Sequence, residues 1–261
     1  MKLTKKILIG MLLLFACSII FSAYKFKQEY DKNDKGELYF LYATIHEQPF
    51  SHLVIRGGNV SKIIYEPAAK SSVREFRRWN GFKDKRIKST IRHDTLYLDF
   101  PGQYKDIYEK MQLKNTAIVR LFSPTLKSVT GSNTNLKLTK LKQKELVVDI
   151  SGNSTFVAES LVYDFNTLSV KASDTTEITF EISSDLKKSL TTGSGADPHA
   201  LPSDVKGWDA FHIKNFHAVV SGKSFINIGH AQVDSIDFRL SDTAAIVLSG
   251  GTIRKNHLEK K

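Results

Sequence analysis

Five times between Leu126 and Leu248 the chain runs alternating apolar residues into a small polar turn and resumes the alternation beyond it in the same phase. With the first turn residue as origin (Gly131, Ser151, Ser173, Ser221, Ser241), the residue five before is Leu126, Leu146, Leu168, Phe216 or Ile236. The residue five after is Leu136, Phe156, Ile178, Ile226 or Ile246, and the residue seven after is Leu138, Ala158, Phe180, Ile228 or Leu248. A period of two marks strands with one buried face. Origins that recur after 20, 22, 48 and 20 residues mark stacked units of one coil each. The interval of 48 contains a weaker copy at Leu190–Ala196 and an insertion, Asp197 to Asp209, that carries Pro198 and Pro202.

A strand pair of this kind cannot bury its apolar face alone, so each coil needs a neighbour on either side. Parallel stacking satisfies the backbone hydrogen bonds between coils and lines a common interior with the aligned Leu, Ile and Phe positions, which predicts a parallel β-helix. Leu141 and Leu161, ten residues past their origins, suggest a third strand per coil. An antiparallel sandwich is the rival fold. The turn residues, such as Ser151-Gly152-Asn153 and Ser173-Asp174-Thr175, tolerate left-handed backbone or bond their own chain.

At 261 residues, with 41% hydrophobic and 25% charged residues, the chain suits one large all-β domain rather than a disordered polymer. Met1 to Lys6 carries three lysines, and Ile7 to Tyr24 then runs 18 residues without a charge. That length of helix approaches the thickness of a bilayer core, and the flanking lysines can reach the headgroups. Residues 1–24 therefore read as a membrane anchor or signal segment, with the remainder exported to the outer side of the membrane. Retention, cleavage after Ser18 and lipidation at Cys17 are the three alternatives. Cys17 is the only cysteine, so the exported part has no disulfide of its own. Residues 25–36 form a polar tether, 37–253 the β-helix domain with N-terminal strands and a basic insertion in 37–116 and repeats in 117–253, and 254–261 a basic tail.

Charge is the other departure from the ordinary. The net charge is +11, which favours anionic partners; the membrane segment points away from nucleic acid and towards lipid headgroups, anionic glycans or an envelope protein. Lys70 to Arg92 concentrates it, with nine Lys or Arg against Glu75 and Asp84, and interleaves Val73, Phe76, Trp79 and Phe82. The spacing fits an amphipathic turn of helix with its cations outward. In the binding reading Trp79 stacks on a sugar ring while Arg74, Arg77, Arg78, Lys83, Lys85, Arg86 and Lys88 contact anionic groups. The alternative is a solvated insertion.

Ala117 to Asn133 and Leu146 to Gly152, with the opening strands at Phe50–Ile55 and Asp94–Leu98, resemble the bacterial GIN-domain family, proposed heads of autotransporter adhesins. The resemblance covers about residues 48 to 250 and implies an exported right-handed β-helix without established catalytic residues. The basic stretch, the insertion after Gly195 and the membrane span depart from that pattern.

No catalytic, metal or cofactor constellation is legible. The eight histidines include no HExxH, and His212 and His217 fall on opposite faces of one strand. Gly193-Ser194-Gly195 lacks the full nucleophile elbow and reads as a turn. Asp149 and Asp174 sit at different offsets in successive coils, and Asp174 and Asp242 share an offset several coils apart, so no acid pair for glycan cleavage assembles. The sequence thus leads to a non-enzymatic, envelope-anchored module for binding or adhesion. A polysaccharide-active enzyme and a protein-binding envelope scaffold are the alternatives.

Overall fold

The computed structural model describes residues 2–32, 39–100, 107–114, 116–141, 143–160, 163–182, 211–229, 231–256 and 258. The weak repeat copy, the insertion after it and Leu161 lie outside them. The chain divides into Met1–Tyr42 and Ala43–Lys261.

The first unit is built on helix α1 (Lys2–Lys32), which contains a stretch, Ile7–Gln28, long and apolar enough to cross a membrane. Its apolar side chains from Ile7 to Phe26 are exposed. The helix continues through the charged residues that follow the apolar run.

The second unit holds β1 (Tyr42–His46, which straddles the division), β2 (His52–Arg56), β3 (Lys62–Pro67), β4 (Ser72–Phe76), α2 (Asn80–Lys83), β5 (Lys88–Arg92), β6 (Thr95–Asp99), α3 (Ile107–Lys114) and β7 (Ala117–Ser123). The repeats follow as β8 (Ser128–Ser132), β9 (Asn135–Thr139), β10 (Glu145–Ser151), β11 (Asn153–Ser160), β12 (Tyr163–Ala172) and β13 (Thr175–Ile182). After the insertion come β14 (Phe211–Val220), β15 (Phe225–Asn227), β16 (Gln232–Leu240), β17 (Ala245–Val247) and α4 (Gly250–Lys255).

These strands form two sheets. One has nine strands in the order β1-β4-β7-β3-β9-β11-β13-β15-β17, the other eight in the order β16-β14-β12-β10-β8-β2-β6-β5. The predicted right-handed parallel β-helix is not what forms. Both sheets are mixed, because β4 joins β7 and β5 joins β6 antiparallel. The third strand per coil is missing at Leu141, which is buried in a connection. The reason lies in the pattern itself: alternation dictates which face of a strand is buried, and two facing sheets meet that demand as well as a closed coil does. Each polar turn passes the chain from one sheet to the other.

Within the repeats the stacking is parallel and in register. Leu136, Phe156, Ile178, Ile226 and Ile246 are successive partners across the nine-stranded sheet. Val129, Val148, Val170, Ala218 and Phe238 do the same across the other. All of these except Ile246 and Phe238, at the end of the stack, are buried. A second column runs along the turns, where Thr134, Ser154, Thr176 and Ser224 are buried. Ser154 Oγ donates to the Ser151 carbonyl at 2.6 Å and accepts from Thr134 N at 2.9 Å, and Thr176 Oγ1 donates to the Ser173 carbonyl at 2.8 Å. The Ser154 and Thr176 hydroxyls thus satisfy backbone groups that the turns leave unpaired.

Gly222 shows how tightly the turns nest. Its φ is +67°, and a Cβ there would lie 2.6 Å from the Asp174 carbonyl oxygen one coil below. Gly222→Ala therefore meets left-handed strain and a backbone clash together. It is expected to lower stability by about 1–3 kcal/mol, measured by chemical denaturation of the full chain in detergent.

Candidate functional site

The basic stretch folds as two strands around one turn of helix. β4 presents Val73 and Glu75 inward, α2 supplies one turn, and β5 leaves by the other sheet. Its residues separate into two groups with different work.

The first group is a structural knot. Trp79 is 1% exposed, so it is not a platform for a sugar ring. Its Nε1 donates to Glu109 Oε1 at 2.9 Å, and Arg86 Nη1 donates to the same oxygen at 2.5 Å. The Arg86 guanidinium also lies 5.5 Å from the centre of the Trp79 ring. Gly81 closes the other side; a Cβ there would sit 2.2 Å from ring atom Cζ2. Arg86 is consequently spent on holding the turn, and α3 is its anchor. Arg74 is likewise engaged, with Cζ 5.4 Å from the Phe122 ring centre and Nε donating to Ser72 Oγ at 3.4 Å. The role predicted for Trp79 and Arg86 at a ligand is thereby replaced by packing. The sequence signal was ambiguous because an aromatic among cations suits both uses.

The second group faces a cleft of about 710 Å³. Lys83 ends α2, Lys85 follows it in a left-handed turn with φ +49°, and Lys88 begins β5. All three are exposed and line the cleft together with Ile45, His46, Glu75, Phe82, Ile87, Ser89 and Thr90. β1 and β5 are the edge strands of the two sheets at this end, and His46 joins them: its Nε2 is 2.8 Å from Ser89 Oγ and 3.0 Å from the Ser89 carbonyl. Arg77 and Arg78 are exposed in the turn before α2 and are not part of the lining.

Glu75 was not singled out from the sequence, yet it gives the cleft its chemistry. The residue is 4% exposed, and its Oε1 has no hydrogen-bond partner. Burial alone pushes its carboxyl up to about 7. No sequence pattern marks it, since only the fold takes it out of water.

On the outer face of the eight-stranded sheet a polar ladder crosses the coils. Lys144 bonds Asp164, His212 Nδ1 is 3.6 Å from Asp164, His212 Nε2 is 2.8 Å from Asp234, and Lys255 Nζ is 2.6 Å from Asp234. Hydrogen bonds from Lys144 and from Lys255 are the main reasons that Asp164 and Asp234 lie below the usual carboxylate range. Asp149 pairs with Lys171 at 3.3 Å, and Asp174 accepts from Gly152 N at 2.9 Å. These carboxylates serve cross-strand and turn contacts. Among the described residues no group of three or more His, Cys, Asp or Glu is placed to hold a metal ion.

No protein-family model and no curated protein sequence matches the chain. Three solved structures are similar to it over most of its length. A "putative adhesin" from Bacteroides fragilis is 12% identical, with a TM-score of 0.37 over 79% of this chain and 91% of that one. A "putative lipid binding protein" from Parabacteroides distasonis is 12% identical, with a TM-score of 0.34 over 80% and 94%. A "putative adhesin" from Parabacteroides merdae is 13% identical, with a TM-score of 0.30 over 80% and 95%. Likeness at this level says nothing of what this chain binds.

Proposed function

We propose that the protein is a non-enzymatic, membrane-anchored envelope module that binds anionic lipid headgroups through the cleft beside β5. The observation that carries this reading is the convergence of Lys83 at the end of α2, Lys85 in the turn and Lys88 at the start of β5 on one cavity, with His46, Ser89 and Thr90 as further polar lining. Phosphate oxygens are the acceptors that such a set satisfies. Lipid is favoured over free glycan by α3, where Ile107, Tyr108 and Met111 are exposed beside Lys110 and Lys114. Apolar side chains bordered by cations suit the headgroup boundary of a bilayer. The helix at the N-terminus supplies the anchor in this reading. Kinship with the GIN-domain proteins is part of the proposal, supported by the Ala117–Asn133 and Leu146–Gly152 motifs and the opening strands Phe50–Ile55 and Asp94–Leu98.

The test uses the full chain in zwitterionic nanodiscs, titrated with phosphatidylglycerol vesicles and, separately, with heparin. Changing Lys83, Lys85 and Lys88 to Ser is expected to weaken vesicle binding at least tenfold, with a smaller salt dependence. Undiminished binding would remove the cleft from the account. Heparin binding that survives loss of the α3 apolar side chains while vesicle binding does not would place glycans second.

Glu75 sets a pH dependence of stability. The unfolded carboxyl ionises near its ordinary value of 4.5 and the folded one near 7, so the contribution of Glu75 to stability is fully present below pH 4.5 and is lost as pH rises to about 7. The loss is of the order of 3 kcal/mol. Glu75→Gln accordingly raises the melting temperature at pH 8 and leaves it unchanged at pH 4.

A further inference from the structure

The stack of coils has a second end, opposite the cleft, and among the described residues no strand lies beyond it. β16 and β17 are the last strands of their sheets. Ile236, Phe238 and Leu240 occupy the positions that in β14 are held by the buried Phe216, Ala218 and Val220. With no described coil beyond them, Phe238 is 38% and Leu240 41% exposed. α4 covers only the beginning of this edge. Thr252 Oγ1 accepts from Val233 N at 3.3 Å and Asn256 Nδ2 donates to the Val233 carbonyl at 3.1 Å, and from Ser235 to Leu240 no described strand pairs with the outer edge of β16.

We propose that this edge pairs with the same edge of a second copy, antiparallel and centred on Phe238. The sequence of the strand is self-complementary about that residue. A two-fold axis there sets Phe238 against Phe238, Ile236 against Leu240 of the second copy, and Asp237 against Arg239 of the second copy, the last two pairs occurring twice. The apolar residues then share the interior face and the charges share the outer face, with opposite signs at cross-strand distance. An edge protected against pairing carries charges that repel their own copies; here the antiparallel register makes them attract. The two-fold arrangement also closes on itself and stops at a dimer. The pairing leaves the lysine cleft free, because that cleft lies at the other end of both sheets.

The test is disulfide trapping of the full chain in detergent micelles, with Cys17→Ala as background. Phe238→Cys is expected to form a dimer under mild oxidation, since a residue on the axis meets itself within disulfide reach. Ser235→Cys is expected to remain monomeric, because its two copies would be about 20 Å apart. In the Phe238→Cys chain, Asp237→Arg or Arg239→Asp alone lowers the dimer yield about tenfold, and the two together restore it. Rescue by the double change separates loss of pairing from loss of fold. No dimer at position 238, equal trapping at 235 and 238, or no rescue overturns the proposal. None of these results bears on vesicle binding by the lysines.

Discussion

Phe156→Ala lowers the unfolding free energy by about 3–5 kcal/mol, the cost of a buried cavity where a ring had been. Phe156 is fully buried in the middle of β11, with Leu136 and Ile178 as its register partners on either side and the Phe180 ring centre 6.1 Å away. The coils above and below are tied by their own backbone bonds and cannot collapse into the space. Guanidinium unfolding of the full chain in detergent, followed by tryptophan fluorescence, measures the loss. A change below about 1 kcal/mol would mean that Phe156 does not lie in the core. Phe156→Leu, which keeps most of the volume, is expected to recover more than half of the stability.

Glu109→Ala is the second large effect, at about 3–5 kcal/mol, for a different physical reason. Removing the carboxylate takes away the one acceptor oxygen that the Trp79 indole N–H and the nearly buried Arg86 guanidinium share. Losing one partner of a buried charge pair costs more than the pair itself contributes. Glu109→Gln keeps an acceptor for both donors and loses only the charge, so it falls between the natural chain and the alanine variant. A shift of the tryptophan emission to longer wavelength reports opening of the knot directly. Equal stability of Glu109→Ala and the natural chain would show that the turn is held by other contacts.

The repeat positions were legible because a single demand, burial of one strand face, repeats five times without exception. Phe156, Ile178 and Ile226 lie where their phase put them. What the phase does not contain is how coils close. Leu141 and Leu161 carry the same apolar signal as a strand residue, yet Leu141 fills space in a connection. The antiparallel additions of β4 and β5 involve residues outside the repeats, where no periodicity announces a direction.

The cleft was half legible. A run of nine cations says that charge gathers there, and Lys83, Lys85 and Lys88 do line one cavity. Local sequence cannot tell which cation will be consumed internally; Arg86 was, because α3 brings Glu109 from 23 residues away. Glu75 was invisible for the same reason in reverse, since its environment is made by strands and turns that arrive from elsewhere. His46 reaches Ser89 across 43 residues.

The central claim, that anionic headgroups sit among these three lysines, is tested most directly by lysine footprinting. The full chain in zwitterionic nanodiscs is acetylated briefly with and without phosphatidylglycerol vesicles, and each lysine is quantified by mass spectrometry. The account predicts that vesicles protect Lys83, Lys85 and Lys88 severalfold while the exposed Lys214 and Lys223 of the distant coils react as before. Equal protection at all five, or none at the first three, would contradict it.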